Sequence, residues 1–250
     1  MEWEEDYAGW PLWGIGPWSD ASELPERNFL KEIVDSTVNI NQCVPMPRVS
    51  DAKERLTEAA MELIWGNSYG ATSVDAICER ADVRKGSFYY FFESKSELAA
   101  AALEEDWKKR KVDMDGIFSP ATPPLERLER YFDYVHARLE ELQKKCGSVL
   151  GCPLFTLGSE VSTQDQPLRD KVQQILDRKV KYFESAIRDA HAQGLITAPD
   201  AKAKAQALFA CFQGTLTQAR IQNNLGLLRD FKAMALDFLG TKSVGAAAHG

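Results

Sequence analysis

The sequence predicts an all-α protein in which a three-helix head precedes a larger helical body. Apolar residues recur at helical spacing through successive long segments, and no segment requires a strand. These segments begin at capping residues such as Ser94 and end at glycines such as Gly194. A chain of 250 residues, 44% of them hydrophobic, can also bury a substantial core. The expected parts are an N-terminal extension at 1–47, the head at 48–95, the body at 96–240 and a flexible tail at 241–250.

The N-terminal extension differs in composition from the rest of the chain. Four of the six tryptophans lie there among prolines and glycines, with no sustained period: Trp3, Trp10, Trp13 and Trp18. A segment of this kind is poorly ordered unless its aromatic side chains dock on a partner. Two interpretations stay open, namely an accessory arm and a mis-assigned start with translation beginning at Met46.

The net charge of −7 does not exclude a nucleic-acid partner. Residues 1–45 contain nine acidic residues and two basic ones, Arg27 and Lys31, while the rest of the chain contains 28 of each sign. A neutral protein can bind DNA when its basic groups cluster on one face, because the local field governs the contacts with phosphates.

The head begins with a helix predicted from Asp51 to Trp65, for which Ser50 is the expected N-cap. Its apolar face is expected to hold two shorter helices in register. The first of these runs from Ser73 to about Ala81, and the second starts near Arg84 after a break in the apolar pattern. Two short helices joined by a tight turn are typical of a helix-turn-helix, which places its second helix in the major groove of DNA. The alternative is an ordinary helical hairpin.

The second short helix favours the DNA-binding interpretation. It offers charged and hydroxyl donors within seven residues, and these are Arg84, Lys85, Ser87, Tyr89 and Tyr90. Gly86 lets the backbone approach a partner closely. Arg84 and Lys85 are candidates for base edges or nearby phosphates, since Arg pairs bidentately with guanine. Ser73, at a helix N-terminus, offers a hydroxyl and backbone donors to an anion.

The segment from Thr72 to Leu98, TSVDAICERADVRKGSFYYFFESKSEL, resembles the DNA-binding signature of the TetR family of transcriptional regulators. The resemblance implies a homodimeric repressor that binds a palindromic double-stranded DNA operator and releases it when a small molecule occupies the body. It also implies that Tyr89 and Lys95 contact phosphates. Phe91 stands where the family often carries His or Tyr, so no polar contact is expected there.

The body is expected to consist of amphipathic helices in series. They are predicted at Lys95 to Val112, Leu125 to Cys146, Gln166 to Gln193, after Pro199, and at Leu227 to Leu239. A short buried helix is predicted from Pro153, with Gly151 in the turn before it. The helix from Lys95 is expected to be the only continuous element between the head and the pocket. The last two helices are expected to form a four-helix dimer interface through Leu208, Cys211, Thr215, Phe231, Met234 and Phe238.

A small-molecule pocket in the body follows from the resemblance. Its candidate lining is Trp107, Tyr131, Tyr134, Cys152, Phe155, Phe183, Phe212 and Gln213. His136 and Thr217 are further polar candidates, because pockets combine apolar walls with a few polar groups. Aromatic residues at helical spacing also form plain core, and that alternative applies to each of them.

Cys152 supports a second interpretation of the same pocket. Its Gly-Cys-Pro-Leu segment resembles that of TetR-family members that sense electrophiles or oxidants through a cysteine. A sensor thiol needs a lowered pKa and access, and the start of a helix at Pro153 favours the first. The alternative is that Cys152 is a small buried hydrophobic residue.

Other classes of protein are disfavoured by the sequence. The three histidines, His136, His191 and His249, lie in no catalytic or metal-binding motif, so neither an enzyme nor a cofactor or metal site is expected. The five cysteines form no regular framework and are expected to be reduced thiols. An acidic start and short apolar runs predict a soluble, cytoplasmic protein without a membrane span.

Overall fold

A computed structural model describes residues 49–241, with side chains from Asp51 onward. The N-terminal extension, its tryptophans, Cys43 and the C-terminal tail lie outside the described residues. Within them the chain forms α-helices, one 3₁₀ turn and no strand, which confirms the all-α prediction. The helices are α1 Val49–Gly66, α2 Val74–Arg80, α3 Lys85–Phe91, α4 Lys95–Ile117, α5 Pro124–Cys146, α6 Pro153–Val161, α7 Gln166–Ala192, α8 Ala201–Ile221 and α9 Phe231–Leu239, with the 3₁₀ turn at Leu225–Leu228 between α8 and α9.

The head consists of α1, α2 and α3 packed around a small core. Leu56, Ile77 and Phe88, one from each helix, are fully buried. Ser73 caps α2 by accepting a hydrogen bond from the Ala76 N–H at 3.0 Å, as expected. Asp82, at a φ of 51°, makes the tight turn between α2 and α3. The prediction that Ser50 caps α1 is wrong, because the helix already begins at Val49.

Helix α4 leads from the head into the body. Ser94 accepts a hydrogen bond from the Glu97 N–H at 3.1 Å and so caps its first turn. The helix continues past the predicted end at Val112 to Ile117, because Met114 is buried in the body and extends the apolar contact. In the body α7 packs against α4, α5, α6 and α8 and therefore forms its centre.

A cluster of aromatic rings fills the body core. Phe183 lies with its ring centroid 5.0 Å from that of Tyr131 and 5.3 Å from that of Phe209. Phe212 packs 4.9 Å from both Phe132 and Phe231. Edge-to-face and tilted pairs at these distances stabilise a core beyond the apolar area they bury.

The C-terminal helix differs from its prediction. Instead of one helix over Leu227 to Leu239, the chain forms the 3₁₀ turn and then α9, because the Asn224 side chain accepts the Gly226 N–H at 2.9 Å and tightens the backbone. Two residues expected at a dimer interface, Leu208 and Phe231, lie in the protomer's own core at 1% exposure. That part of the interface prediction is wrong, because these side chains are already packed.

Candidate nucleic-acid interface and body cavity

Helix α3 has one buried and one exposed side. Phe88 points into the head core, with its ring 5.0 Å from that of Tyr89 in an edge-on arrangement. Tyr89 and Tyr90 are 57% and 75% exposed, and Arg84 and Lys85 are exposed beside them. Ser87 is half-buried. Because Phe88 anchors the helix, hydroxyl and cationic donors are held at the surface in a fixed orientation.

Two charged residues of this surface differ in their surroundings. The Lys85 ammonium lies 2.7 Å from the Asp75 carboxylate of α2, and the hydrogen bond to Asp75 raises the pKa of Lys85. Both side chains are exposed, so the pair is weak and can open for a competing phosphate. Arg84 is the N-cap residue of α3 but makes no side-chain capping bond.

Gly86 has no structural reason within the protein to lack a side chain. A Cβ built at this position meets no other atom within 4 Å, and its φ is not positive. A glycine inside a helix costs about 0.5–1 kcal/mol relative to alanine. Gly86 lies on the exposed side of α3, and its close approach to an external partner stays a prediction.

Lys95 has an internal role that the sequence did not indicate. Its ammonium donates to the carbonyl oxygens of Tyr69 and Thr72 at 2.8 and 2.9 Å, and lies 4.0 Å from the centre of the Tyr69 ring. Burial lowers the pKa of this ammonium. Lys95 therefore fixes the connection between α1 and α2, and one N–H remains for a partner.

The same connection is fixed to the body by Glu160 of α6. Its carboxylate accepts hydrogen bonds from the backbone N–H groups of Tyr69 and Gly70, at 2.9 and 2.5 Å. A Cβ at Gly70 would lie 2.9 Å from the Glu160 oxygen, so a larger residue there would make the carboxylate shift. Arg220 of α8 adds longer bonds to the carbonyl oxygens of Trp65 and Asn67, both at 3.4 Å. Sequence reasoning had assigned neither side chain a function.

The body encloses a small cavity between α1, α4, α5, α6, α7 and α8, with a volume of about 60 Å³. Several of the residues predicted for a pocket line it, and these are Trp107, Tyr131, Tyr134, Cys152 and Gln213. Phe183 and Phe212 do not, because they belong to the aromatic cluster of the core. Phe155 and His136 lie instead at separate surface depressions, and Thr217 is exposed on α8.

Four charged residues that sequence reasoning missed also line the cavity: Asp106, Arg110, Arg138 and Lys179. A signal for Lys179 was present, because it lies four residues after Ile175 and four before Phe183 on the inner face of α7. Arg110 and Asp106 form a bidentate ion pair at 2.5 and 2.6 Å. Such a pair on one helix looks like an ordinary solvated i, i+4 contact in the sequence.

Trp65, in the last turn of α1, is part of the same wall. Its ring lines the cavity and its indole N–H donates to the Leu150 carbonyl at 3.2 Å. The expectation that α4 is the only continuous element between head and pocket is therefore wrong. Helix α1 ends at the cavity as well, because its C-terminal turn packs against α4 and α6.

Cys152 is the N-cap residue of α6 and is 9% exposed. It is one of the residues that line the cavity. Cys78, Cys146, Cys152 and Cys211 are free thiols. No group of His, Cys, Asp or Glu side chains within residues 51–241 is arranged to hold a metal ion. None of the helices in the described part of the chain has the length and apolar composition of a bilayer span.

Comparison with known proteins places these features in context. The family model described as "Bacterial regulatory proteins, tetR family" matches residues 56–102, and the model described as "Tetracyclin repressor-like, C-terminal domain" matches residues 124–234. An HTH-type transcriptional regulator in the lacX 3'region of Lactococcus lactis subsp. lactis is 30% identical over 184 residues, which are 71% of this chain and 88% of the relative.

Two further similarities extend over most of the chain. The HTH-type transcriptional repressor DhaR of Mycobacterium sp. (strain GP1) is 27% identical over 75% of this chain and 91% of its own length. The crystal structure of a regulatory protein TetR from Rhodobacter sphaeroides superposes with a TM-score of 0.67 at 25% identity, covering 75% of this chain and 98% of that one. The helix order of head and body is thus shared along nearly the whole length of these relatives.

Proposed function

The chain belongs to the TetR family of transcriptional regulators and is a DNA-binding transcriptional repressor, and from that premise we propose that it binds a palindromic operator as a homodimer and releases it when a small molecule occupies the body cavity. The observation that carries the proposal is the exposed side of α3. Phe88 anchors the helix in the head core, and the exposed residues are Arg84, Lys85, Tyr89 and Tyr90.

The proposed DNA contacts divide into two kinds. Arg84 and Lys85 read base edges, and Gly86 allows the backbone of α3 to approach the groove. The remaining contacts go to phosphates and position the head, and these are Ser73, Ser87, Tyr89, Tyr90 and Lys95. The Lys95 ammonium already donates two hydrogen bonds, to Tyr69 and Thr72, and its third N–H would contact the phosphate.

A homodimer supplies the second recognition helix that a palindrome requires, with half-sites about 34–36 Å apart or somewhat more. Exposed apolar side chains near the C-terminus support a self-association surface. Ile221 is 77% exposed, and Met234 and Phe238 are 50% and 36% exposed. Light scattering at micromolar concentration tests this proposal, and a monomer in solution would contradict it.

The proposed switch uses the two helices that connect the head to the cavity. An occupant of the cavity contacts Trp65 at the end of α1 and Trp107 within α4. If it binds best when these helices are tilted, it shifts the population to a head spacing that cannot span both half-sites. The occupant can shift this equilibrium only by the difference between its binding free energies for the DNA-binding and the released conformation.

DNA capture across the genome, followed by fluorescence anisotropy on the recovered operator, tests the assignment of α3. Arg84→Ala should relax base preference and cost about 1–3 kcal/mol of binding free energy. Lys95→Ala should weaken binding to all DNA sequences. The slope of the logarithm of the binding constant against the logarithm of the salt concentration should become shallower by about 1. Arg188→Ala, an exposed arginine of α7, is the matched control. If the Arg84 and Lys95 variants bound DNA like the wild type, the assignment would be wrong.

A second candidate mechanism keeps the repressor and replaces the ligand by modification of Cys152. It is favoured by the position of Cys152, which lines the same cavity that a small electrophile would enter. Cys152→Ser should retain DNA binding but lose release by a quinone, whereas Cys146→Ser, at an exposed thiol, should behave like the wild type. Equal release from the Cys152 variant and the wild type would discard this mechanism.

A further inference from the structure

The body cavity contains more positive charge than its surroundings neutralise. Arg110, Arg138 and Lys179 line it, together with a single carboxylate, Asp106. That carboxylate is already held in the bidentate ion pair with Arg110. Within residues 51–241, no carboxylate forms an ion pair with Arg138 or Lys179. Asp113, which does not line the cavity, accepts a hydrogen bond from the Tyr134 hydroxyl at 2.8 Å. Two cationic side chains are therefore left facing the cavity without a counter-charge.

Unpaired hydrogen-bonding atoms accompany these charges. The Arg138 Nε is buried without a partner, and so is the Oε1 of Gln213, a residue that is 1% exposed. Burial is the main cause that lowers the pKa of the Lys179 ammonium; Arg110 and Arg138 act in the same direction, whereas Cys152 and Asp106 oppose them. Buried polar atoms are normally hydrogen-bonded, so the Arg138 Nε and the Gln213 Oε1 give this cavity the capacity to bind a polar group.

The rest of the lining is apolar and the space is small. Leu103, Met114 and Ile175 contribute hydrocarbon walls, and the volume of about 60 Å³ holds on the order of four water molecules. A drug-sized ligand needs a pocket of about 300–1,000 Å³. The occupant that fits without reshaping the core therefore has few heavy atoms, with an anionic end and a short apolar end.

A route from solvent to the cavity passes the same residues. An outer cleft of about 590 Å³ lies between α1, α4 and α5, and it shares Trp65, Asp106, Arg110 and Arg138 with the cavity lining. The guanidinium carbons of Arg110 and Arg138 each lie 5.8 Å from the centre of the Trp65 ring. Both side chains line the cleft as well as the cavity, so an anion that enters through the cleft passes them before it reaches Lys179.

We propose that the effector of this repressor is a small monocarboxylate, whose carboxylate group is bound by Arg138 and Lys179 and whose short hydrocarbon tail lies among the apolar walls of the cavity. The proposal rests on the proposed function for the consequence of binding but not for binding itself. The amide of Gln213 adds a hydrogen-bonding group in either orientation of its side chain.

Isothermal titration calorimetry of the full chain without DNA tests the ligand class with pairs of equal shape. Propionate and butyrate are compared with propionamide and butyramide, within a carboxylate series from acetate to valerate. The carboxylate should bind at least about tenfold more tightly than its amide, because hydrogen bonds to charged groups are the stronger ones. Equal binding of acid and amide, or no binding by any member of the carboxylate series, would overturn the proposal.

Variants identify the residues that bind the carboxylate. Lys179→Met and Arg138→Met remove the charge and retain much of the side-chain length, and each should weaken carboxylate binding about tenfold or more. Lys181→Met removes an exposed charge from the same helix and should leave it unchanged. Wild-type affinity in both cavity variants would overturn the assignment. Thermal unfolding of each variant verifies that it is folded.

Operator release is measured separately, by anisotropy with the same compounds. If carboxylates bind with the expected dependence on Lys179 but the operator complex survives, the ligand class stands and the proposed switch fails. If neutral compounds bind and release the operator while carboxylates do not, the switch stands and the ligand class fails. Release by carboxylates from the wild type, with loss of release in Lys179→Met, supports both.

Discussion

Lys85 and Lys179 carry the same functional group in opposite environments. Lys85, on the exposed side of α3 that we propose contacts DNA, is exposed and paired with Asp75, and that pairing raises its pKa. Lys179, in the body cavity, lies among Arg110 and Arg138, and burial lowers its pKa. The comparison teaches that a positive charge on the surface attracts a polyanion with little loss of folding stability. A positive charge in a cavity lowers the stability of the folded protein, and an anionic ligand can restore it.

The largest expected effect comes from removing the cavity's carboxylate. Asp106→Asn leaves Arg110 without its bidentate partner, and the Arg110 side chain is only 12% exposed. The free energy of unfolding should fall by about 3 kcal/mol, because breaking a buried pair leaves an uncompensated charge. Urea denaturation measures the change. If the free energy of unfolding fell by no more than about 1 kcal/mol, as for an exposed ion pair, the cavity pair would not differ from a surface pair.

A smaller effect is expected from removing the cavity's unpaired ammonium. Lys179→Met should raise the free energy of unfolding of the ligand-free protein by about 1 kcal/mol at neutral pH, because a half-buried charge without an ion-pair partner is removed. Thermal unfolding with Lys181→Met as the control measures it. No stabilisation relative to that control would indicate that the Lys179 ammonium is well solvated.

The same variant gives a pH dependence with a defined sign. The folded-state pKa of Lys179 lies below its unfolded value of about 10.4, so at a pH between the two the unfolded state binds more protons. The stability contribution of Lys179 therefore rises with pH across that window. The advantage of Lys179→Met over the wild type should shrink as pH approaches about 10, and an advantage that grew with pH would contradict the lowered pKa.

The smallest expected effect concerns Lys85 and its exposed ion pair in the head. Asp75→Asn breaks the exposed pair with Lys85 and should change the free energy of unfolding by no more than about 0.5 kcal/mol. Operator binding should become slightly tighter, because Lys85 no longer has to leave a carboxylate before it meets a phosphate. Anisotropy at two salt concentrations measures the effect, and weaker binding would show that Asp75 positions Lys85 for its contact.

The head could be predicted closely because its signals are local. The Ser73 cap and the break at Asp82 each depend on a few neighbouring residues, and the short helices fall within about one residue of their expected ends. The long helices of the body followed from apolar periodicity in the same way. The 3₁₀ turn before α9 did not, because it depends on one hydrogen bond from Asn224 rather than on periodicity.

The cavity could be predicted only in part, because it depends on which faces of distant helices meet. Aromatic residues such as Tyr131 and Phe183 have the same pattern in the sequence, yet one lines the cavity and the other fills the core. Charged residues are mostly exposed in proteins, so the apolar pattern of α7 did not predict the inward position of Lys179. The bonds of Glu160 to Tyr69 and Gly70 join residues about ninety positions apart, which no local pattern indicates.

The position of Trp65 has a consequence for how such a regulator can diversify. Its ring forms part of the cavity wall while its backbone belongs to the last turn of the head's longest helix. Under the proposed function, a substitution there alters both the choice of ligand and the seating of the head. Lys179 lies on α7 in the body and is not part of the head. On the same proposal, ligand preference can change at Lys179 while operator recognition is retained, whereas a change at Trp65 affects both properties together.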